Sequence, residues 1–238
     1  MKHQLLAHVV HVPYLHRPKA GLAKRVYLLD LDNTLHLASG HILPEINRQM
    51  TQYLVTHLDL QEQEASALRN RYWLRYGATL LGMMRHHGTN PHHFLAQTHR
   101  FEGLGKLSSR HLSVPQRLSR LPGLRVLLTN APRAYAIEVC KAQGLYRHLH
   151  AIVAIEDMVI HRQWRPKPAN ILWPSLKVAL RHARPMLVDD THGHLKQAAL
   201  HGYKTAWITP PGIRFAPRTT RGPVYRRIRH FEAIKAIA

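Results

Sequence analysis

The sequence predicts an α/β protein, a doubly wound parallel sheet with a block of helices inserted into it. Three observations carry the prediction. Short apolar runs end abruptly in polar residues: Val26-Tyr27-Leu28-Leu29 into Asp30, Arg125-Val126-Leu127-Leu128 into Thr129-Asn130, and Pro185-Met186-Leu187-Val188 into Asp189-Asp190. Segments of helical length separate the later runs, as crossover helices separate buried parallel strands. Between the first and second runs lie about ninety residues, far more than a crossover requires.

Taken in order, the elements are as follows. Two further runs, Ala151–Ile155 and Thr205–Ile208, bring the strands to five. The crossovers fall at Pro132–Gln143, Pro168–Arg181 and Gly193–His201, the last followed by Gly202, a residue suited to closing a helix in the left-handed region. Within the long interval, Glu45–His57, Glu62–Tyr76 and Pro91–Phe101 place Leu, Tyr and Trp at helical spacings. The expected organisation is a core of residues 25–36 and 120–210, a helical insertion at 37–119, and basic terminal segments at 1–24 and 211–238. The last twenty or so residues read as poor core material.

Composition narrows the function classes. With 45% hydrophobic and 20% charged residues, 238 residues can bury a sizeable core, which argues against global disorder. A single cysteine, Cys140, excludes an internal disulfide framework and a Cys-based structural zinc site. No apolar run approaches the roughly 20 residues of a membrane span. The stretch Leu5–Val12 is broken by histidines and lacks a small-residue cleavage site, so a signal peptide is not expected and a cytoplasmic location is. Lys and Arg number 34 against 13 Asp and Glu, a formal charge of +21 that should attract polyanions and phosphorylated small molecules. That charge is densest at the chain ends and is read first as solvated surface. Nucleic-acid binding through these ends is the alternative, unsupported by any zinc-finger, RNP or GxxxxGK[ST] pattern. His86-His87 and His92-His93 flank the breaker Gly88-Thr89-Asn90-Pro91 and have no carboxylate or cysteine beside them to complete a metal site.

Acids are scarce, which makes their positions informative. Asp30 and Asp32 follow one strand and Asp189 and Asp190 another, and in open α/β sheets ligands bind outside the carboxyl ends of the strands. Clustered carboxylates repel unless a cation or proton intervenes. Hard oxygen ligands suit Mg²⁺, which takes one or two carboxylates and keeps positions for water and phosphate. Simple capping of a turn and of a helix is the competing explanation, but capping needs one short polar residue and not two paired sets.

Asp30-Leu31-Asp32-Asn33-Thr34-Leu35, Thr129-Asn130, Lys167-Pro168 and Val188-Asp189-Asp190 stand in an order that resembles the four motifs of the haloacid dehalogenase-like (HAD) hydrolases. The resemblance spans roughly Arg25 to Ile208 and implies a Rossmann-like core with a helical cap of the C1 type inserted after the first motif. It further implies that Asp30 is a nucleophile forming an aspartyl-phosphate, that Asp32 is general acid and base, and that Lys167 neutralises phosphate and Asp30. Thr129 and Asn130 would donate to phosphate. Mg²⁺ would be held by Asp30, the Asp32 carbonyl and Asp190, with Asp189 acting through water. Taken singly, Thr129 could be a strand-end hydroxyl bonded to backbone and Lys167 a surface lysine. The second acid, Asp32, favours phosphoryl transfer, because dehalogenation leaves no alkoxide to protonate.

The stretch Tyr72-Trp73-Leu74-Arg75-Tyr76-Gly77-Ala78-Thr79-Leu80-Leu81-Gly82-Met83 resembles the cap signature of the pyrimidine 5′-nucleotidase branch, as does the helix carrying Asn47, Met50, Tyr53 and Leu54. Tyr72 and Tyr76, at i and i+4, share a helix face able to stack on a base, and Gly77 ends the helix and lets backbone approach a ligand. Packing within the cap is the other use for these rings. Trp73 stands where the branch often has a second Tyr, and His194 stands four residues past Asp190, where Asn or Asp is frequent. The expected activity is Mg²⁺-dependent hydrolysis of pyrimidine nucleoside 5′-monophosphates such as UMP and CMP. The alternatives are a broad phosphatase for sugar phosphates or phosphoglycolate and, from another class, a basic nucleic-acid-associated protein on a vestigial HAD fold.

Overall fold

Strands that are apolar on both faces must be covered on both, and parallel pairing through crossover helices achieves this. In the computed structural model, which describes residues 10–11, 25–99, 113–180, 184–209 and 226–228, the first apolar run forms the strand at the middle of a seven-stranded sheet. The strands are β1 (Val10–His11), β2 (Arg25–Leu29), β3 (Leu124–Leu128), β4 (Ala151–Val153), β7 (Arg184–Asp189), β8 (Lys204–Ile208) and β9 (Arg226–Ile228), with β5 (Val159–Ile160) and β6 (Gln163–Trp164) forming a separate hairpin. The spatial order is β1-β4-β3-β2-β7-β8-β9. All neighbours are parallel except β1, which runs antiparallel to β4.

The chain winds from β2 outward to β3 and β4, then crosses back to β7 and β8 on the other side of β2. The reversal of winding therefore lies between β2 and β7, where Val26 pairs with Pro185 and Leu29 with Val188. Such a switch point opens a crevice at the carboxyl ends of the strands. Leu28, Leu187, Leu128 and Val153 are buried from these strands, together with Leu172, Trp173 and Leu176. Each such aliphatic side chain contributes about 1.5–3 kcal/mol relative to exposure. Trp173 and Tyr203 meet edge to face at 5.5 Å, and the Tyr203 hydroxyl donates to the Trp173 carbonyl at 2.7 Å.

The helices are α1 (Ile42–Leu58), α2 (Glu62–Tyr76), α3 (Thr79–His87), α4 (Pro91–Thr98), α5 (Ser113–Ser119), α6 (Arg133–Ala142), α7 (Leu172–Ala179) and α8 (His192–Leu200). α6, α7 and α8 correspond to the three expected crossovers; α7 starts four residues late because Lys167-Pro168-Ala169 forms a turn before it. Gly202 follows α8 at φ 74°, in the left-handed conformation expected of it. Phe101 and Arg181, proposed ends of two helices, lie outside the described residues, as do most of residues 1–24 and 211–238. Ile228 of β9 is buried, so the end of the chain gives the core at least one residue.

Contacts divide the chain into two compact units, Met1–Leu37 with Ser109–Ala238, and Ala38–Ser108. The second is made by α1 to α4, with α2 packed on α1 and α3, and α4 on α1 and α3. Its helix ends are locally specified. Glu64 accepts from the Gln61 N–H at 3.2 Å in a capping box, and Asn90 Oδ1 accepts from His92 N and His93 N at 3.0 and 3.1 Å, with Pro91 opening α4. A Cβ at Gly82 would overlap the Tyr72 ring, so that bare glycine is the seat into which Tyr72 packs.

Candidate active site

The site is built from strand ends. Asp30 follows β2, and its N–H continues the ladder to the Val188 carbonyl at 3.0 Å. Leu31, fully buried, anchors a tight return in which Leu35 N donates to Leu31 O at 2.9 Å and Asn33 adopts φ 59°. Asn tolerates that left-handed geometry better than most residues. The turn buries Thr34 and Leu35 and brings His36 back beside Asp32.

Lys167 lies 137 residues from Asp30 in sequence, yet its Nζ donates to Asp30 Oδ1 and to Asp189 Oδ2, each at 2.7 Å. Its side chain is fully buried. Asn130 holds it there: Asn130 Nδ2 donates to the Lys167 carbonyl at 2.8 Å, and the Lys167 N–H donates to Asn130 Oδ1 at 3.0 Å. The Asn130 carboxamide thus serves to clasp the lysine backbone, which limits its expected part in binding phosphate. Thr129, buried at the end of β3, accepts from Ala131 N through its Oγ1 at 3.0 Å and donates its backbone N–H to Val153 O at 3.0 Å.

Asp189 is saturated. Its Oδ1 accepts from Thr191 N at 2.8 Å, its Oδ2 from Lys167, and both oxygens lie 3.0 Å from His194 Nδ1. His194, where the sequence departs from the HAD pattern, therefore fixes this carboxylate. Asp190 accepts from Thr191 Oγ1 at 3.1 Å, and its carbonyl accepts from Trp207 Nε1 at 2.9 Å. Asp32 Oδ1 accepts from the Tyr135 hydroxyl at 2.5 Å and lies 2.9 Å from His36 Nε2. Neither His36 nor Tyr135 was anticipated from the sequence. The i, i+4 spacing of Asp32 and His36 is a trace of the first, while Tyr135 left none.

The electrostatics follow from burial and crowding. Burial pushes Asp30 up to about 6 despite the Lys167 ammonium, with Asp189 and Asp32 adding repulsion. Burial, then the charges of Asp30 and Asp189, push Asp190 up to about 7. Burial would raise Asp189 too, but His194 and Lys167 reverse it and hold that carboxyl well below the ordinary range. For Lys167, burial opposes the charged form and the two carboxylates more than restore it. Oxygens of Asp30, Asp189 and Asp190 lie within 4.8 Å of one another. One ammonium cannot balance three carboxylates at that spacing, and an all-oxygen donor set short of positive charge fits a hard divalent cation.

Tyr72, Tyr76 and Gly77 belong to the helical unit. Tyr72 is buried against Gly82, and its hydroxyl lies 2.8 Å from His87 Nε2. Tyr76 is half-buried, 2.6 Å from His86 Nε2 through its hydroxyl, with the Arg75 and Arg85 guanidinium groups 5.5 and 5.9 Å from its ring centre. Gly77 closes α2 at φ 82°. Trp73 is 57% exposed. His86 and His87 are thus partners of the tyrosines, and His93 lies 3.0 Å from the Tyr53 hydroxyl.

The architecture is similar to the fold of solved HAD-superfamily hydrolases. A haloacid dehalogenase-like hydrolase from Burkholderia xenovorans LB400 is similar over 90% of this chain and 96% of its own, with a TM-score of 0.59 at 14% identity. L-2-haloacid dehalogenase from Xanthobacter autotrophicus matches over 90% and 97% (TM-score 0.53, 13% identity). The magnesium-bound HAD-hydrolase YfnB from Bacillus subtilis matches over 90% and 97% (TM-score 0.51, 15% identity). No protein-family model matches the sequence.

Proposed function

We propose that this chain is a Mg²⁺-dependent phosphomonoesterase whose substrates are pyrimidine nucleoside 5′-monophosphates such as UMP and CMP. The observation that carries the reading is the separation of two carboxylates at one strand end. Asp30 is bound to the buried Lys167, whereas Asp32, two residues on, is held by His36 and Tyr135. One acid is thereby set up as a nucleophile and the other as a proton carrier. A dehalogenase has no use for the second, since halide leaves without a proton.

Lys167 engages Oδ1 of Asp30 and leaves Oδ2 to attack phosphorus. As the Asp30–phosphorus bond forms and the ester bond breaks, protonated Asp32 gives its proton to the departing alkoxide. Asp32, now a carboxylate, takes a proton from water as that water displaces phosphate from Asp30, restoring both groups. Thr129, with Asn130 in a lesser part, receives the phosphoryl oxygens. Mg²⁺ would be held by Asp30, Asp190 and the Asp32 carbonyl, and when bound it neutralises the phosphoryl charge. Asp189, occupied by Lys167, His194 and Thr191, acts through its neighbours.

For the base, Tyr76 offers the more accessible ring, flanked by Arg75 and Arg85. The burial of Tyr72 keeps a broader phosphatase, acting on sugar phosphates or phosphoglycolate, as the second reading.

The test is phosphate release from UMP, CMP, dTMP, AMP, GMP, phosphoglycolate and glucose 6-phosphate, with Mg²⁺ and with EDTA, beside Asp30→Asn. Preference for UMP and CMP, abolished by EDTA and reduced at least about 10³-fold by Asp30→Asn, is expected. Metal-dependent turnover without that preference leaves the broader phosphatase, and no turnover on any ester refutes the enzyme reading.

A further inference from the structure

We propose that His36 and Tyr135 are positioning residues that fix Asp32 as the proton donor to the leaving group, an inference that rests on the phosphomonoesterase reading. The two come from different places: His36 from the return after β2, Tyr135 from α6, 103 residues beyond Asp32. Both meet the same oxygen, Oδ1. A carboxylate is an acceptor only, so His36 Nε2 carries the proton in this contact. Two anchors of different origin on one oxygen leave the Asp32 side chain one orientation. The Asp32 side chain retains 22% exposure, while His36 and Tyr135 are each 2% exposed. The arrangement is an accessible acid on a buried mount.

His36 also bears a cost that packing does not explain. Its Nδ1 is buried without a hydrogen-bond partner among the described residues. An orphaned buried polar atom costs about 1–3 kcal/mol, a cost an aliphatic residue would not carry. What the imidazole adds there is the bond to Asp32.

In the step concerned, the Asp30–phosphorus bond forms, the ester bond breaks, and the Asp32 proton passes to the alkoxide oxygen. A nitrophenolate is a weak base and needs little of that proton, whereas an alkoxide cannot leave without it. Because kcat/KM reads only the steps through departure of the leaving group, it isolates this role from the later use of Asp32 as a base.

The experiment measures kcat/KM of wild type, His36→Leu, His36→Gln and Tyr135→Phe on p-nitrophenyl phosphate and on the alkyl esters UMP and phosphoglycolate. Expected is a loss of roughly 10–100-fold on alkyl esters in His36→Leu and Tyr135→Phe, with p-nitrophenyl phosphate changed less than about threefold. His36→Gln, which keeps a donor near Nε2, should recover most of the loss. Tyr135→Phe removes a single hydroxyl and carries the test if His36→Leu does not fold. Equal losses on both ester types, or none, overturn the positioning role while the phosphatase reading stands. Wild-type cleavage of p-nitrophenyl phosphate alone refutes the acid role of Asp32. Wild-type inactivity on every ester refutes the phosphatase reading, and this inference with it.

Discussion

The ammonium of Lys167 and the carboxylate of Asp189 meet at 2.7 Å, and neither side chain has any exposed surface. Removing one partner of a buried pair strands the other, at a cost of about 3–5 kcal/mol. Lys167→Met strands Asp189 and Asp30 together, so urea denaturation should show a loss of that size alongside the loss of turnover. A fold as stable as wild type would mean that the pair contributes little to stability.

Asp190 should behave in the opposite sense. Its charge is crowded by Asp30 and Asp189, so Asp190→Asn relieves repulsion and should stabilise the metal-free protein by about 1 kcal/mol. Mg²⁺ at about a hundred times its dissociation constant stabilises a folded protein by about 2.7 kcal/mol, which at this size raises Tm by roughly 5–10 °C. Differential scanning fluorimetry should show that rise in wild type and its absence in Asp190→Asn. An equal rise in both would remove Asp190 from the metal site.

Tyr76→Ala tests the proposed base recognition against a role in packing. Stacking contributes about 1–3 kcal/mol per base, so kcat/KM for UMP should fall roughly tenfold or more relative to p-nitrophenyl phosphate. Parallel losses on both substrates would assign Tyr76 to the packing of the helical unit alone.

His150 gives stability an acid limb remote from the chemistry. Its Nδ1 accepts the Arg125 N–H at 3.0 Å, and burial, with the Arg125 charge, lowers the imidazole to about 4. Between that value and the ordinary 6.5, the unfolded chain binds a proton that the folded chain does not. Stability from this group is therefore present above pH about 6.5 and lost as pH falls toward about 4. Discounted for partial exposure, the loss between about pH 7.5 and about pH 5 is about 1 kcal/mol. His150→Asn, which keeps an acceptor but does not titrate, should flatten that limb in urea denaturation at the two pH values.

The five core strands and three crossovers were legible because buried parallel strands must be uniformly apolar and must end where polar residues begin. β4 stops at Val153, two residues short of the expected Ile155, because Ile155–Asp157 turns into a 3₁₀ segment with Asp157 bonded back to the Ala154 N–H at 2.8 Å. The β5–β6 hairpin was missed because its turn places His161 and Arg162 at φ 51° and 62°, where Asn-Gly is the usual signal. α3 was missed because its nine residues follow Gly77-Ala78 directly and offer less than three turns of pattern. In the site, the acids stood out by their strand-end positions, and Lys167 only by its place in the motif series. The partners of Asp32 did not, because a hydrogen bond across 103 residues has no period to read.

The seating of Tyr72 on Gly82 ties together two positions of the helical unit. Any side chain at 82 displaces the ring; any small residue at 72 leaves a void and takes the hydroxyl partner from His87. Neither site can vary alone. A library randomised at one of them would return mostly unfolded helical units, whereas one randomised at both together can find new pairs. For anyone seeking to re-engineer the helices around Tyr76, 72 and 82 are one design variable, not two.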